Sequence, residues 1–203
     1  EQLLKEVRFD AIRGNISEIK TLASLCGTQE KNSGNMAVSD TMDVEKITDK
    51  SDHCGKITGI DGSGRGVDAD NADTVTEENL AQHISNAKML SKKLQTIVAI
   101  TGAIDLVTDG SSCYVIRNGN PQMGHVTGAG CQLSGILTAF LAANPENKLQ
   151  AAAAAVCMMG YAGELAAEKS GQSGSGTYRV SLMDAVSCMD GDILERGARY
   201  EIR

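Results

Sequence analysis

The chain has 203 residues, of which 41% are hydrophobic and 3% aromatic, and its formal net charge is −7. This size supports one compact domain with a core of aliphatic side chains. Lysine and arginine form no cluster of the kind that nucleic-acid binders show, and no apolar run is long enough to span a bilayer. We therefore expect neither a nucleic-acid partner nor a membrane partner.

Six cysteines are scattered along the chain, and no two have the C-x-x-C spacing of a zinc site. Cys113, Cys131 and Cys157 lie in apolar or glycine-rich runs, which is typical of free thiols in a reducing cytosol. The first residues are charged and amphipathic, unlike a secretory signal, although no Met starts the chain. The sequence thus predicts a cytoplasmic protein.

The first part of the chain combines short predicted elements with a long polar stretch. Residues 1–7 have the pattern of an amphipathic helix end, residues 9–12 that of a strand, and residues 16–25 that of a helix. Residues 27–73 are polar, and a loop of that length is unusual inside a compact domain. We interpret residues 27–65 as a polar surface insertion. Its glycine-rich run at 62–66 has no preceding strand and no following helix, which favours a flexible turn over a phosphate loop.

The second part alternates predicted helices and strands. A helix is predicted from Thr76 to about Leu94, with Glu77 and Glu78 in its first turn. Residues 96–100 read as a buried parallel strand and residues 106–116 as a hairpin. Helices follow at about 131–143, 149–168 and 180–189, and the tail at 191–203 is predicted as helix and then extended chain. This alternation indicates an α/β layer architecture.

A glycine turn at residues 126–131 carries the strongest chemical signal. Gly128 and Gly130 flank Ala129 directly before an apolar helical run. Without side chains at the two glycines, successive N–H groups can point at one centre, and the start of the helix adds a positive dipole end. The pattern favours an anion site, but a helix closely packed on a sheet fits it equally. A dinucleotide fingerprint is excluded because Leu133 stands where its third glycine would be.

The turn Thr127-Gly128-Ala129-Gly130-Cys131 resembles the anion-hole motif of the ribokinase-like superfamily. Cysteine at the last position, where most of the superfamily has Asp, is characteristic of hydroxyethylthiazole kinases. Three more segments are similar to that family in the same order: residues 11–18 to R-G-N-x-x-E, residues 98–105 to T-G-x-x-D, and residues 118–120 to N-G-x. The resemblance covers the chain from residue 1 to the C terminus, except for residues 27–65.

The resemblance implies a three-layer α/β/α fold of the ribokinase type. It also implies ATP- and Mg²⁺-dependent phosphorylation of the hydroxyl of 4-methyl-5-(2-hydroxyethyl)thiazole, in thiamine biosynthesis or salvage. Family members carry further N-terminal strands, so the chain is expected to be the C-terminal portion of one kinase domain over residues 1–203. The absent or separate N-terminal segment would supply most thiazole contacts. The family is trimeric, so a homotrimer is expected.

Carried onto this sequence, the family's motifs imply roles for individual residues. ATP would be contacted by Arg13, Thr101 and Asn15, and Glu18 would hold Mg²⁺ or its waters. The catalytic anion hole would be formed by Gly128, Ala129, Gly130 and Cys131. Gly128 would also line the site of the alcohol.

Each of these residues also has a plain structural interpretation. Asn15 and Glu18 have the spacing of a helix capping box, and both roles can coexist. Arg13 could be a surface ion-pair residue, and Thr101 the end of a strand. Asp105 lies near a turn and is interpreted as structural, and His125 as solvated.

Cys131 has two possible roles in the implied reaction. It could draw the proton from the attacking hydroxyl, which requires the anion hole and the helix dipole to favour its thiolate. Alternatively it shapes the site, and the alcohol loses its proton late in a loose transition state. Two other functions stay open: a hydroxymethylpyrimidine kinase of the same superfamily, and a non-catalytic nucleotide-binding module.

Overall fold

The computed structural model describes residues 2–27 and 74–203. Its helices and strands are, in chain order, α1 (Gln2–Glu6), β1 (Ala11–Gly14), α2 (Ile16–Leu25), α3 (Leu80–Leu94), β2 (Ile97–Ile100), β3 (Asp105–Thr108), β4 (Cys113–Ile116), α4 (Ala129–Ala143), α5 (Lys148–Ser170), α6 (Ser175–Ser187), α7 (Gly191–Gly197) and β5 (Tyr200–Ile202). A short 3₁₀ helix, Pro121–His125, precedes α4. Beyond Gly27 the predicted insertion lies outside the described residues and stays a prediction, as does the run at 62–66.

The five strands form one sheet in chain order, from β1 to β5. β1 and β2 are parallel, with Ala11 opposite Ile97 and Gly14 opposite Ile100. The remaining neighbours are antiparallel, including the hairpin of β3 and β4. The parallel strand, the hairpin and the extended tail predicted from the sequence are therefore confirmed.

Helices cover both faces of this sheet, which confirms the three-layer α/β/α prediction. Successive side chains of a strand point to opposite faces. Ile97 and Ala99 of β2 belong to the apolar cluster built with α4, α5 and α6. Val98 and Ile100 belong to the cluster built with α2 and α3. Burial on both faces explains why this strand is continuously apolar.

Small side chains allow α5 to approach its neighbours closely. Ala152, Ala155 and Ala162 of this helix are fully buried. Tyr178 of α6 is buried as well, and its hydroxyl donates a hydrogen bond to the Gly163 carbonyl at 2.9 Å. The alanine-rich sequence thus produces the close helix packing that we expected from it.

The expectation that no segment could span a bilayer by length was wrong for α5. It has 23 residues, and its most apolar stretch has a mean hydropathy of 1.2, so it is the one helix in the described ranges that is long and apolar enough to cross a membrane. However, 61% of that stretch is buried inside the fold. Packing against the sheet, α4 and α6 accounts for its apolar character.

Two helices begin at different residues from those predicted. The helix expected from Thr76 starts at Leu80, so its first turn contains no acidic residue. Asn79 explains the shift, because its side-chain oxygen accepts the Thr76 N–H at 2.7 Å and closes a separate turn. Glu77 pairs with Arg117 at 2.9 Å and not with the dipole of α3. The helix predicted at 180–189 is longer, since α6 begins at Ser175.

Candidate functional site

The ends of two parallel strands bring the predicted site residues together. Thr101 follows β2, and its N–H donates to the carbonyl of Gly14, the last residue of β1, at 2.9 Å. Parallel strands present their carboxyl ends at the same edge of a sheet, which is where α/β proteins generally bind ligands. Arg13 and Thr101, which are 88 positions apart, therefore meet at one edge.

Arg13 connects this edge with the start of α4. Its Nη1 donates to Thr101 Oγ1, and its Nε donates to Ser134 Oγ, both at 3.1 Å. A Cβ placed on Gly130 would lie 3.2 Å from Arg13 Nη2. The guanidinium thus occupies the space that the missing side chain of Gly130 leaves open. The structure thus joins Arg13 and Thr101, two of the three residues expected to contact ATP, to the glycine turn before α4.

The glycines of the turn have two different reasons to be glycine. Gly128 is the N-cap of α4 and has a φ of 89°, a left-handed conformation that favours glycine. A Cβ there would meet nothing within 4 Å, so conformation and not space is the constraint. Gly130 has an ordinary helical conformation and is constrained by Arg13.

The first turn of α4 offers backbone donors for an anion. Its hydrogen-bond ladder starts with the Gln132 N–H, which donates to the Gly128 carbonyl at 2.9 Å. Helix geometry leaves the N–H groups of Gly130 and Cys131 without a carbonyl partner inside the helix. Ala129 is satisfied locally, because its N–H donates to the Val126 carbonyl at 3.2 Å. Two donors and the positive end of the helix dipole therefore lie next to Arg13.

Cys131 is an exposed free thiol in the first turn of α4. It directly follows Gly130 in the turn that is expected to form the anion hole, and that role stays a prediction. Its role as a base or as a shaping residue stays a prediction. His125, at the end of the 3₁₀ helix, is exposed, as expected for a solvated side chain.

Asn15 and Glu18 form the capping box that their spacing predicted. Asn15 Oδ1 accepts the Glu18 N–H at 2.8 Å, and Glu18 Oε2 accepts the Asn15 N–H at 2.7 Å. A Cβ on Gly14 would lie 2.9 Å from Glu18 Oε2, so the R-G-N-x-x-E segment packs tightly against its own cap. The described residues contain no group of three or more His, Cys, Asp or Glu side chains suited to a metal.

Asp105 has the structural role in a turn that the sequence predicted, and it lies beside the site. It is buried, and its Oδ1 accepts the Gly102 N–H at 2.8 Å. Burial raises the pKa of this carboxyl to about 7, while the Gly102 hydrogen bond and the positive charge of Arg13 act in the opposite direction. Asp105 thus fixes the turn that presents Thr101.

The N-G-x segment is a structural anchor. Asn118 is buried, its Nδ2 donates to Glu164 at 3.0 Å and to the Gly197 carbonyl at 2.9 Å, and its Oδ1 accepts the Arg199 N–H at 2.7 Å. Gly119 also donates its N–H to Glu164, at 2.8 Å. These bonds secure the connection from β4 towards α4 to α5 and to the C-terminal segment.

Two residues of this region escaped the sequence analysis, Ser134 and Glu164, as did the burial of Asp105. Ser134 had a detectable signal, because it follows Gly130 by four positions and so lies on the same helix face. Glu164 had none, since its partners are more than thirty positions away. A separate cleft is lined by Phe9, Asp10 and Gln95, at the opposite ends of β1 and β2.

Comparisons with known proteins give the same assignment as the motifs. The model of the Hydroxyethylthiazole kinase family matches residues 26–192. The curated hydroxyethylthiazole kinase of Clostridium acetobutylicum is 41% identical over 98% of this chain, and that of Desulfovibrio desulfuricans is 33% identical over 100% of it. The solved structure of a hydroxyethylthiazole kinase protein from Pyrococcus horikoshii OT3 aligns with 96% of this chain at a TM-score of 0.65 and 22% identity, which shows a shared fold.

The matches also define how much of its relatives the chain represents. It spans 61% of the length of each of those two curated kinases and 55% of the Pyrococcus chain. This chain belongs to the hydroxyethylthiazole kinase family.

Proposed function

We propose that the protein containing this chain transfers the γ-phosphoryl group of ATP to the hydroxyl of hydroxyethylthiazole, in thiamine biosynthesis or salvage. The observation that carries the proposal is the position of Arg13, which is held by hydroxyl groups directly beside Gly130 and the free N–H groups of α4. A fixed cation next to unpaired backbone donors is suited to a phosphoryl group in transfer.

Phosphoryl transfer depends mainly on positioning and on neutralising charge. Arg13 would bind the nucleotide phosphates, with Thr101 and Asn15 beside it at the same edge. The N–H groups of Gly130 and Cys131 would stabilise charge on the transferred group. The acceptor alcohol would approach the open space at Gly128.

Cys131 is exposed at this point, within the same turn, where it could receive the proton of the alcohol. We expect Cys131→Ser to keep acceptor binding but to lower kcat, because serine is a poorer base than a thiolate. An unchanged kcat would contradict the base role and leave Cys131 as a residue that shapes the site.

The donor set fits Mg²⁺, which is commonly bound through one or two carboxylates together with substrate phosphates and water. Glu18 is exposed at the start of α2, and its Oε2 already accepts the Asn15 N–H, so the carboxylate is oriented. We propose that Glu18 contributes one oxygen to this ion. When bound, Mg²⁺ would neutralise charge on the phosphates.

The part of the relatives that this chain does not match would add strands to the sheet. β1 is the terminal strand of the sheet over the described ranges, and its outer edge can accept further strands. We propose that an N-terminal segment of the same protein pairs there and completes the acceptor site. A homotrimer in the cytoplasm remains part of the proposal, as the family resemblance implies.

ADP release by the full-length protein tests the function. MgATP is supplied with hydroxyethylthiazole, with hydroxymethylpyrimidine or without an acceptor. Release that depends on the thiazole supports the proposal. ADP release only with the pyrimidine would show that hydroxymethylpyrimidine, and not the thiazole, is the acceptor. ATP binding without acceptor-dependent ADP release would indicate a non-catalytic nucleotide-binding module.

A further inference from the structure

Ser134 is placed to control the orientation of Arg13. It lies four residues after Gly130, so both face the same side of α4. Gly130 leaves room for the guanidinium, and Ser134 accepts its Nε–H at 3.1 Å. Gly130 and Ser134 together therefore hold the side chain of Arg13, which belongs to β1.

The hydroxyl of Ser134 is itself oriented by the helix. Ser134 Oγ donates to the Gly130 carbonyl at 3.2 Å, the common bond from a helical serine to the residue four positions earlier. With its proton committed to this carbonyl, the oxygen presents its lone pairs to Arg13. A hydrogen-bonded series therefore runs from Arg13 through Ser134 to Gly130.

This contact fixes the guanidinium without neutralising it. An arginine has five N–H donors in a rigid planar fork. Ser134 occupies the Nε donor and Thr101 one donor of Nη1. Nη2, the nitrogen nearest Gly130, makes no hydrogen bond to any of the residues described. No carboxylate among them forms an ion pair with Arg13, although its charge acts on the nearby Asp105 carboxyl.

We propose that Ser134 is a positioning residue for ATP: it aligns the Arg13 fork so that Nη2 and the N–H groups of α4 meet the same phosphate. This inference rests on the proposed function, because it assigns the anion at this site to the nucleotide. A hydroxyl is required at position 134, and an apolar residue there frees the fork to rotate.

Three variants of the full-length protein test this role. Ser134→Ala removes the acceptor, and Ser134→Thr keeps a hydroxyl that can still bond to the carbonyl of residue 130. Thr138→Ala is the matched control, since Thr138 is exposed one turn later and its hydroxyl donates only to the Ser134 carbonyl, at 2.8 Å. The measurements are kcat and the KM values for ATP and for hydroxyethylthiazole.

We expect Ser134→Ala to lower kcat/KM for ATP about tenfold, the size typical of a lost hydrogen bond to a charged group. The KM for the thiazole should change less than twofold, Ser134→Thr should restore ATP use, and Thr138→Ala should resemble the wild type. Equal losses for both substrates, or a loss also seen in Thr138→Ala, would indicate a merely structural role and overturn the proposal.

A second readout separates this inference from the proposed kinase activity. The hydrogen-exchange rate of the Arg13 Nε–H, measured by ¹⁵N NMR, should rise at least tenfold in Ser134→Ala and stay low in Ser134→Thr. An unchanged rate overturns the role of Ser134 even if the protein is a kinase. If the wild type releases no acceptor-dependent ADP, the activity fails, and weaker ATP binding by Ser134→Ala in calorimetry still supports the positioning role.

Discussion

Two arginines of this molecule are held by different kinds of partner. Arg199 directs both terminal nitrogens of its guanidinium at the Glu164 carboxylate, each at 2.8 Å. Arg13 donates to the neutral hydroxyls of Thr101 and Ser134. A bidentate carboxylate neutralises a guanidinium, whereas hydroxyl groups fix its direction and leave its charge for a ligand. The partners of an arginine therefore separate a scaffold region from a binding region in this fold.

Replacing each of the two arginines with alanine, in separate variants, tests the comparison most strongly. Arg13→Ala should lower kcat/KM for ATP by about 10²–10³-fold, the range seen when one donor to a transition state is removed. Its melting temperature should stay close to that of the wild type. Arg199→Ala is the control: it should lower the melting temperature while kcat/KM per folded molecule changes only a few-fold. Steady-state kinetics and thermal unfolding measure both, and reversed results would contradict the distinction.

Asp105 should make stability depend on pH in the binding region. Its pKa is raised by burial from 3.8 to about 7, so between these values the folded state binds more protons than the unfolded chain. Stability from this group is therefore full below about pH 4 and falls as the pH rises to about 7, by of order 4 kcal/mol at 1.36 kcal/mol per pKa unit.

Asp105→Asn isolates this effect, because an amide oxygen can still accept the Gly102 N–H. The groups that face Asp105 are Arg13 of β1 and Cys157 of α5, whose thiol stays neutral here because burial raises its pKa to about 12. Urea unfolding from pH 4 to pH 8 should show the wild type losing stability relative to the variant. A constant difference across this range would mean that Asp105 is ionised throughout.

Glu164 should be the main determinant of stability in the scaffold region. Its carboxylate accepts hydrogen bonds from Asn118, Gly119 and Arg199, and only 17% of its side chain is exposed. Glu164→Ala leaves these donors without their acceptor, so we expect a loss of about 2–3 kcal/mol in urea unfolding. Lys169→Ala, which removes an exposed ion pair from the same helix, should cost far less. Equal losses would show that the Glu164 network contributes no more than a surface pair.

Most of the fold could be predicted from the sequence because its signals are local. Each signal spans only a few consecutive residues: the apolar run of β2, the glycines before α4, and the capping box of Asn15 and Glu18. The contacts that complete the site are not local: Arg13 and Ser134 are 121 positions apart. No periodicity relates such residues, and only the meeting of β1 with α4 brings them together.

The same limit explains why the starts of helices were predicted less well. Glu77 looks like a favourable first-turn residue, yet Asn79 closes a turn before α3 and Glu77 pairs with the distant Arg117. Some side chains can bond either to a nearby residue or to a distant one, and the sequence does not show which partner is chosen. The structural role of Asp105 was predicted, but its burial was not, because that depends on elements outside its own turn.

Alanine substitutions at Gly128 and Gly130 should give the smallest changes in stability, and the two changes should differ in sign. Gly128→Ala should destabilise the protein by about 1 kcal/mol, because alanine is strained at a φ of 89° although space is available. Gly130→Ala should leave stability unchanged or raise it by up to about 1 kcal/mol, since alanine favours helix. Its Cβ would nevertheless press on Arg13 Nη2 and raise the KM for ATP several-fold. Urea unfolding and ATP kinetics on both variants decide the matter: if Gly130→Ala bound ATP normally, the guanidinium could move away without loss, and its fixed position would not matter for the nucleotide.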